Sequence, residues 1–211
     1  MNRCVIVGGG EIKDFRYVRR QLYESDYIIS ADLGYAHCTS MGLIPHLALG
    51  DFDSYRGDIA KECEVLRYPV EKNDTDTMLA VKEALKRGYR EILMFGMTGG
   101  RLDHTLANIQ TLVYGTNRGA TLCICDKNCW ITAVPGGKSI SVPWLEDFSL
   151  SLFSYTEKSS GVNLENVHYP LHNAVLESEF PLGVSNHFLP GQEAVISVEK
   201  GMLIVVCNKA N

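Results

Sequence analysis

Apolar and polar positions follow one pattern in the first part of the chain and another in the rest, and the change falls near residue 126. In the first part, short apolar runs alternate with segments whose apolar residues recur every three or four positions, as in strands alternating with helices. The predicted strands are 3–7, 27–31, 47–49, 65–68, 91–95 and 121–125. The predicted helices are 14–25, 36–41, one capped by Asp74 or Thr75 that runs to residue 87, and one over 102–113. This alternation predicts an α/β domain over residues 1–126, with a mainly parallel sheet and helices on both faces.

After Trp130 the helical periodicity fades, and short strand-like runs separated by turns replace it. The predicted strands here are 139–142, 149–154, 174–178, 193–198 and 202–207. Glu199-Lys200-Gly201 fits a hairpin turn between the last two of them. This part of the chain is typical of a small β-sandwich or barrel, and we predict an all-β sandwich domain over residues 127–211.

Composition excludes several classes of function. The 211 residues carry a formal net charge of −5 and contain no basic run, so nucleic acid is a poor candidate partner. No apolar stretch approaches the roughly 20 residues that span a bilayer, and the N-terminus lacks the order of a signal peptide. Seven scattered cysteines suggest reduced thiols in a cytoplasm. Zinc binding by Cys123, Cys125 and Cys129 is an alternative, but their spacing is not that of two C-x₂-C knuckles, and the alternation of Cys123 and Cys125 with Ile124 favours buried core thiols.

Three acidic motifs each lie between a predicted strand and a predicted helix. They are Gly50-Asp51-Phe52-Asp53-Ser54, Glu71-Lys72-Asn73-Asp74-Thr75-Asp76 and Gly99-Gly100-Arg101-Leu102-Asp103-His104. In an open parallel sheet such loops meet at the carboxyl ends of the strands, where ligands bind. Asp51, Asp53 and Asp76 would then repel one another unless a cation lay between them, and Mg²⁺ with a nucleotide polyphosphate fits that need. Each carboxylate also has an ordinary structural role available, in a turn or at a helix start.

The third motif adds groups that suit phosphate. Gly99-Gly100 allows close approach of the backbone to a ligand, and Arg101 offers a planar fork for phosphate oxygens. Asp103 begins the following helix and is placed to receive a proton or to reach a metal. We give the adjacent His104 a structural or peripheral role, because neighbouring helical side chains point in different directions.

With these motifs laid out, the chain resembles the bacterial type of thiamine pyrophosphokinase (thiamine diphosphokinase) over nearly its whole length. The resemblance rests on Ala31-Asp32, Gly50 to Ser54, Lys72 to Asp76, Gly99 to Asn108 and Gly183-Val184-Ser185-Asn186. It implies transfer of a pyrophosphoryl group from ATP to the thiamine hydroxyl, which gives thiamine diphosphate and AMP. It also implies an N-terminal α/β catalytic domain that binds ATP and Mg²⁺, a C-terminal β-sandwich that binds thiamine, and a homodimer with active sites at the interface.

Carried over by position, the resemblance implies a site made from both parts of the chain. Its metal-binding and catalytic residues are Asp51, Asp53 and Asp76, joined in catalysis by Arg101 and Asp103. Its substrate-binding residues are Asp32, Ser54, Lys72, Thr75, Gly100, Tyr169, Ser185 and Asn186, with the ring of Tyr169 packing on thiamine. The chain departs from the family pattern at Leu33, at Asn73 and at Asn166, where glycine, aspartate and glycine are common.

Two other functions remain open at this point. Asp51-Phe52-Asp53 also resembles the first motif of haloacid dehalogenase phosphatases, in which the first aspartate becomes phosphorylated. A nucleotide or vitamin sensor without catalysis is the second alternative. Production of AMP that requires thiamine would exclude the phosphatase, and ligand binding without turnover in Mg²⁺ and ATP would favour the sensor.

Overall fold

The computed structural model describes residues 3–52, 55, 57–69, 71 and 73–210. The chain forms two compact units, Met1–Lys127 and Asn128–Asn211. Within the described residues, no helix has the length and apolar character needed to cross a membrane.

The first unit is built on a parallel sheet. Its strands are β1 (Arg3–Val7), β2 (Tyr27–Ala31), β3 (Leu47–Gly50), β4 (Glu64–Arg67), β5 (Glu91–Phe95) and β6 (Thr121–Asp126). Its helices are α1 (Phe15–Gln21), α2 (Gly34–Ser40), α3 (Asp76–Lys86) and α4 (Leu102–Thr116). The strands lie in the order β6-β5-β1-β2-β3-β4, and every neighbouring pair is parallel.

Strands β1, β2 and β3 are buried along nearly their whole length. Parallel strands covered on both faces need continuous apolar runs rather than alternation, and Cys4–Val7 is such a run. The predicted α/β class with a mainly parallel sheet is confirmed. This order also puts β1 between β5 and β2, so the connections that follow β1 and β5 leave the sheet side by side.

Helix α1 is shorter than the predicted 14–25. It begins after Asp14, whose carboxylate accepts hydrogen bonds from the backbone N–H groups of Arg16 and Tyr17. It ends at Gln21 because the buried carboxylate of Asp26 accepts the backbone N–H of Tyr23 at 2.8 Å, which draws the chain into a turn before β2. This hydrogen bond to a side chain takes the place of the backbone hydrogen bond that would continue the helix. Aspartate side chains commonly compete with helical hydrogen bonds in this way.

The second unit is entirely β-structure in its described part. Its strands are β7 (Cys129–Pro135), β8 (Lys138–Val142), β9 (Phe148–Ser154), β10 (Lys158–Glu165), β11 (Leu171–Glu177), β12 (Gly183–His187), β13 (Ala194–Val198) and β14 (Met202–Lys209). They form two antiparallel sets, β12-β9-β14-β7 and β11-β10-β13-β8. Side chains from both sets fill one core, which includes Leu150, Leu164, Ile196 and Leu203. Two sheets around one apolar core make a sandwich, as predicted.

The predicted hairpin at Glu199-Lys200-Gly201 is wrong. This turn follows β13, which pairs with β8 and β10, and precedes β14, which pairs with β7 and β9, so it joins strands of different sheets. Its backbone is held instead by other segments: Gly201 accepts a hydrogen bond from the N–H of Gly136, and Lys200 accepts one from the N–H of Ser160. Gly201 has a φ of 92°, a conformation open to glycine.

Candidate active site

A cavity of about 580 Å³ opens at the carboxyl ends of the parallel strands in the first unit. The segments that follow β1, β2, β3, β4 and β5 all contribute to it, together with the first turns of α3 and α4. Its lining residues are Gly9, Gly10, Glu11, Ala31, Asp32, Leu33, Asp51, Asp74, Thr75, Asp76, Thr77, Gly96, Met97, Thr98, Gly99, Gly100, Arg101, His104, Ala107 and Asn108. The site is therefore where open parallel sheets bind ligands, beside the strand at which the order of connections reverses.

Two glycine segments form one wall of the cavity by packing against each other. The N–H of Gly10 donates to the carbonyl of Gly96 at 2.9 Å. A Cβ atom added at Gly10 would lie 2.5 Å from that carbonyl oxygen, so no other residue fits without a backbone shift. The ring Nε2 of His37 lies 2.9 Å from the carbonyl oxygen of Gly10 and holds this wall from behind.

Carboxylates enter the cavity from the ends of neighbouring strands. Asp32 follows β2 and Asp51 follows β3. Asp32 has a φ of 47°, outside the usual range for a residue with a side chain, and its N–H donates to the carbonyl of Leu49 on β3. Unusual backbone of this kind persists where the surrounding structure fixes it, and it is common at ligand sites. Of the predicted group Asp51, Asp53 and Asp76, Asp51 thus lies at this edge, and Asp32, predicted as a substrate-binding residue, lines the same cavity.

Helix α3 presents its N-terminus to the same cavity. Thr75 caps it, accepting the N–H of Met78 at 3.1 Å, and Asp76 is the first helical residue. Asp74 lines the cavity but does not cap the helix, because both of its carboxylate oxygens accept hydrogen bonds from the ammonium of Lys82 at 2.7 and 2.9 Å. A helix N-terminus favours an anion because its backbone dipoles point there, so this wall suits a phosphate group.

Arg101 and Asp103 form an exposed ion pair at the start of α4. The guanidinium donates to both oxygens of the carboxylate, with distances of 2.5 and 3.1 Å. This pairing holds the pKa of Asp103 below its ordinary value, and that of Arg101 above its own. Arg101 lines the cavity, whereas Asp103 does not and is connected to the site by its ion pair with Arg101. A polyphosphate would compete with the carboxylate for the same guanidinium.

His104 and Asn108 line the cavity although the sequence analysis gave His104 a peripheral role and did not assign Asn108 one. They lie one helical turn apart on α4, so they share a face. The amide of Asn108 donates to the carbonyl of Met97 at 2.8 Å and is buried, which fixes the segment after β5. His104 and Thr111, which lie one turn away on the same face, are also polar, so the hydrophobic pattern gives no signal for Asn108. Asp103 pairs with Arg101 while His104 lines the cavity, so the two neighbouring side chains point in different directions as expected, and the role of His104 stays a prediction.

The metal site predicted at Asp51, Asp53 and Asp76 is described only in part. Asp53 lies outside the described residues, as do Ser54 and Lys72. Within the described residues, no three His, Cys, Asp or Glu side chains form a group with metal-binding geometry. The donors that line the cavity are carboxylates, the hard oxygen ligands that Mg²⁺ prefers, so the chemistry of the set fits that ion. The sulfur atoms of Cys123 and Cys125 lie 3.2 Å apart on β6 and belong to no such group.

The three site residues predicted in the second unit lie close together at β12. Tyr169 is 68% exposed. Ser185 has a φ of 59° at an irregularity where β12 pairs with β9, and its N–H donates to the hydroxyl of Ser151 at 3.0 Å. Asn186 is buried, and its amide bonds to both the N–H and the carbonyl of Tyr169. The structure therefore joins these residues into one local arrangement with an exposed aromatic ring.

Two of the departures from the family pattern have a visible setting. Leu33 lines the cavity and is partly exposed there. Asn166 has a φ of 61° and donates its side-chain amide to the carbonyl of Glu193 at 2.8 Å. Asparagine tolerates this left-handed conformation better than other residues with side chains, so it can stand in for glycine there.

Comparison with known proteins covers both units. Residues 18–124 match the family model of the thiamin pyrophosphokinase catalytic domain, and residues 139–203 match that of the thiamin pyrophosphokinase vitamin B1 binding domain. Thiamine pyrophosphokinase of Bacillus subtilis (strain 168) is 33% identical over 183 residues, which are 84% of this chain and 85% of the relative. The crystal structure of thiamine pyrophosphokinase from Bacillus subtilis superposes with a TM-score of 0.86 at 28% identity, covering 100% of both chains. That from Geobacillus thermodenitrificans gives 0.82 at 26% identity, covering 98% of this chain and 97% of the other. The chain belongs to the thiamin pyrophosphokinase family.

Proposed function

We propose that this chain transfers the pyrophosphoryl group of ATP to the hydroxyl of thiamine, giving thiamine diphosphate and AMP. The observation that carries the proposal is the single cavity that brings Asp32, Asp51, Asp76 and Arg101 together at the ends of parallel strands, in a chain whose two units match the two domains of this family. In the reaction, the thiamine oxygen bonds to the β-phosphorus and its proton is released to solvent. The bond from that phosphorus to the oxygen shared with the α-phosphorus breaks, and AMP leaves with the oxygen.

Positive and polar groups of the first unit bind the polyphosphate. The guanidinium of Arg101 offers two parallel donors to phosphate oxygens, and the N-terminus of α3 offers backbone N–H groups. Gly100 has a φ of 64°, and a Cβ atom added to it would have no other atom within 4 Å. The backbone beside Arg101 is therefore open to a ligand. These interactions hold the phosphate chain in line for attack and stabilise the charge that develops on it.

Mg²⁺ is part of the proposal. Asp51, Asp53 and Asp76 would hold the ion, with Asp32 lining the same cavity. The ion supplies charge neutralisation for the polyphosphate. Its binding also explains why several carboxylates face a site for an anionic substrate, since without a cation they would repel it.

Thiamine recognition is assigned to the second unit. Thiamine is a cationic heterocycle, and the exposed ring of Tyr169 offers an aromatic face that attracts such a cation. Ser185 presents a hydroxyl on the same irregular strand as Asn186. These assignments rest on the matched motifs, and the exposure of Tyr169 is the structural observation that supports them.

The protein is proposed to act as a homodimer in the cytoplasm, with each active site shared between two chains. Exposed apolar side chains on or beside β12, namely Phe180, Leu182 and Val184, support a partner surface in the second unit. Free thiols at all seven cysteines suit a reducing compartment, which fractionation would test.

Subunit exchange tests the shared site. An Asp76→Asn chain is expected to be inactive, and a Tyr169→Ala, Ser185→Ala chain is expected to be nearly inactive when thiamine is held far below the raised KM of that chain. In their heterodimer one site carries every defect and the other carries none. An equal mixture should then recover about a quarter of the wild-type activity, because half of the dimers are mixed and each has one intact site. No recovery with heterodimer verified by mass spectrometry would place each site within one chain.

Product analysis tests the reaction itself. The purified protein is incubated with ATP, Mg²⁺ and thiamine, and the nucleotides and thiamine species are separated by chromatography. We expect AMP and thiamine diphosphate in equal amounts, with neither formed when thiamine is omitted. ADP formed together with thiamine monophosphate would overturn the pyrophosphoryl transfer. Phosphate release without thiamine would favour a phosphatase, and binding without turnover would favour a sensor.

A further inference from the structure

Three hydrogen bonds join the buried side chain of Asn186 to the backbone at Tyr169 and at its own neighbour His187. Its Oδ1 accepts from the N–H of Tyr169 at 3.0 Å and from the N–H of His187 at 2.9 Å. Its Nδ2 donates to the carbonyl oxygen of Tyr169 at 2.7 Å. An amide oxygen has two lone pairs, and both are used here. The oxygen of Asn186 therefore has no lone pair left for a substrate. One amide N–H is not used in these bonds, but Asn186 is only 6% exposed, so its side chain faces the protein although its place in the motif suggests a substrate contact.

The two bonds to Tyr169 reproduce the pairing that a neighbouring strand would provide. The preceding residue is held by backbone, since the N–H of His168 donates to the carbonyl of His187 at 3.0 Å, and Val167 forms a bridge with Phe188. The following residue is Pro170, which has no N–H to donate. Regular pairing thus cannot continue past this point, and the side chain of Asn186 extends it by one residue.

The irregularity in β12 is what makes this arrangement possible. The pairing of β12 with β9 shifts register between Gly183 and Asn186, and Ser185 between them has a φ of 59°. The buried hydroxyl of Ser151 accepts the N–H of Ser185, so the shifted backbone remains hydrogen-bonded. A β-bulge of this kind re-aims a side chain, and here Asn186 ends up against the backbone of Tyr169.

We infer that Asn186 is a positioning residue that fixes the backbone of Tyr169 and thereby presents its ring to thiamine, without contacting the substrate. With the backbone held on both sides of its Cα, the exposed tyrosine has only two side-chain torsions left to order on binding. A pre-organised aromatic ring costs less entropy when the ligand binds, so its fixing lowers the KM for thiamine. This inference rests on the proposed function for its effect on thiamine, but not for its effect on the backbone.

Hydrogen exchange tests the structural half without any activity. In Asn186→Ala, the amide of Tyr169 should exchange at least about tenfold faster than in the wild type, because its acceptor is gone, while the amide of His168 keeps its backbone acceptor. The matched control is Asn163→Ala. Asn163 holds the N–H of Asn173 with its Oδ1 at 2.9 Å, which is the same kind of bond elsewhere in the unit. Unchanged exchange at Tyr169 in the Asn186 variant would overturn the inference.

Steady-state kinetics tests the functional half. Asn186→Ala should raise the KM for thiamine about tenfold and change the KM for ATP less than twofold, with no such split in Asn163→Ala. In a Tyr169→Ala background the same substitution should have little further effect, since Asn186 acts through that residue. A full additional increase in that background would show that Asn186 acts on the substrate itself and would overturn the inference.

A second variant covers the case in which Asn186→Ala does not fold. Asn186→Asp keeps both accepting interactions but replaces the donor to the Tyr169 carbonyl with an oxygen. We therefore expect the KM for thiamine to rise while the KM for ATP changes little. The amide of Tyr169 should still exchange slowly, because its acceptor remains. Equal KM values for wild type and Asn186→Asp would contradict the role of the donated bond. If the wild type formed no thiamine diphosphate, the proposed function would fail, while the exchange experiment would still decide the role of Asn186.

Discussion

The two units position their candidate functional groups by different means. In the first unit, residues distant in sequence, such as Asp32, Asp76 and Arg101, meet because the strands that precede them are parallel and end at one edge. In the second unit, Tyr169, Ser185 and Asn186 come from two nearby segments of an antiparallel structure, and side-chain bonds to irregular backbone bring them together.

A site formed by regular strand topology and a site formed by irregular backbone should therefore respond differently to amino-acid substitution. A cavity formed by five strand ends keeps its shape when one lining side chain is altered, so substitutions there should report on chemistry. An arrangement that depends on one bulge and one amide should respond to substitutions of residues that do not touch a ligand. Substitutions in the two units therefore distinguish these two kinds of site.

The largest effect is expected from the carboxylates of the first unit. Asp76→Asn and Asp51→Asn should each lower kcat by about a thousandfold or more, because the amide cannot neutralise the cation. Loss of the acidic group at the start of α3 costs only about 0.3–1 kcal/mol, so thermal unfolding should change little. The control is Asp58→Asn, an exposed aspartate that does not line the cavity. Wild-type kcat in a folded Asp76→Asn protein would remove this residue from the metal site.

A smaller effect is expected at the exposed ring of the second unit. Tyr169→Ala should raise the KM for thiamine about tenfold or more, which matches about 1.4 kcal/mol and falls in the range of a cation–aromatic contact. Tyr169→Phe retains the aromatic face and should stay within about threefold of the wild type. The KM for ATP should remain unchanged in both variants. A rise in the KM for ATP as large as that for thiamine would contradict the assignment of Tyr169 to thiamine.

The smallest effect is expected for two buried cysteines, one in the core of each unit. Burial raises the pKa of Cys38 in the first unit and of Cys207 in the second, each to about 12. A raised pKa favours the neutral thiol of the folded state, so the contribution of each thiol to stability is constant below the unfolded thiol pKa of about 8.5 and falls as the pH rises from there towards 12. At pH 8 both thiols should resist alkylation in the native protein and react after unfolding. Mass spectrometry of labelled peptides would show which unit opens first, and rapid native labelling of both would contradict their burial.

Elements with one dominant signal were predictable from the sequence. Strands β1, β2 and β5 have the predicted bounds, because a continuous apolar run enclosed by polar residues leaves little choice. Strands β7, β10 and β12 were not predicted. Strand β10 contains Ser159, a buried hydroxyl satisfied by Ser154 and by the carbonyl of Met202, and such internal pairing leaves no mark on the hydrophobic pattern.

The site was predictable where a loop follows a strand. Asp32, Asp51, Thr75, Asp76, Gly100 and Arg101 all line the cavity. Asn108 was missed because its direction depends on how α4 is rotated about its axis, which the packing of Asn108 against the carbonyl of Met97 helps to set. The hydrogen bonds of Asn186 could not be predicted either, because a sequence motif identifies a residue but not the atoms to which its side chain bonds.

Binding measured on two variants tests the division between the units most directly. Calorimetry would follow thiamine, and separately α,β-methylene-ATP with Mg²⁺, titrated into the wild type, Arg101→Ala and Tyr169→Ala. Arg101→Ala, which removes the guanidinium, should weaken nucleotide binding by about 10- to 100-fold and leave thiamine binding within about twofold of the wild type. Loss of the ring should weaken thiamine binding by about tenfold and leave the nucleotide unaffected. If either variant weakened both ligands equally, or if the two effects were exchanged, phosphate binding in the first unit and thiamine recognition in the second would be contradicted.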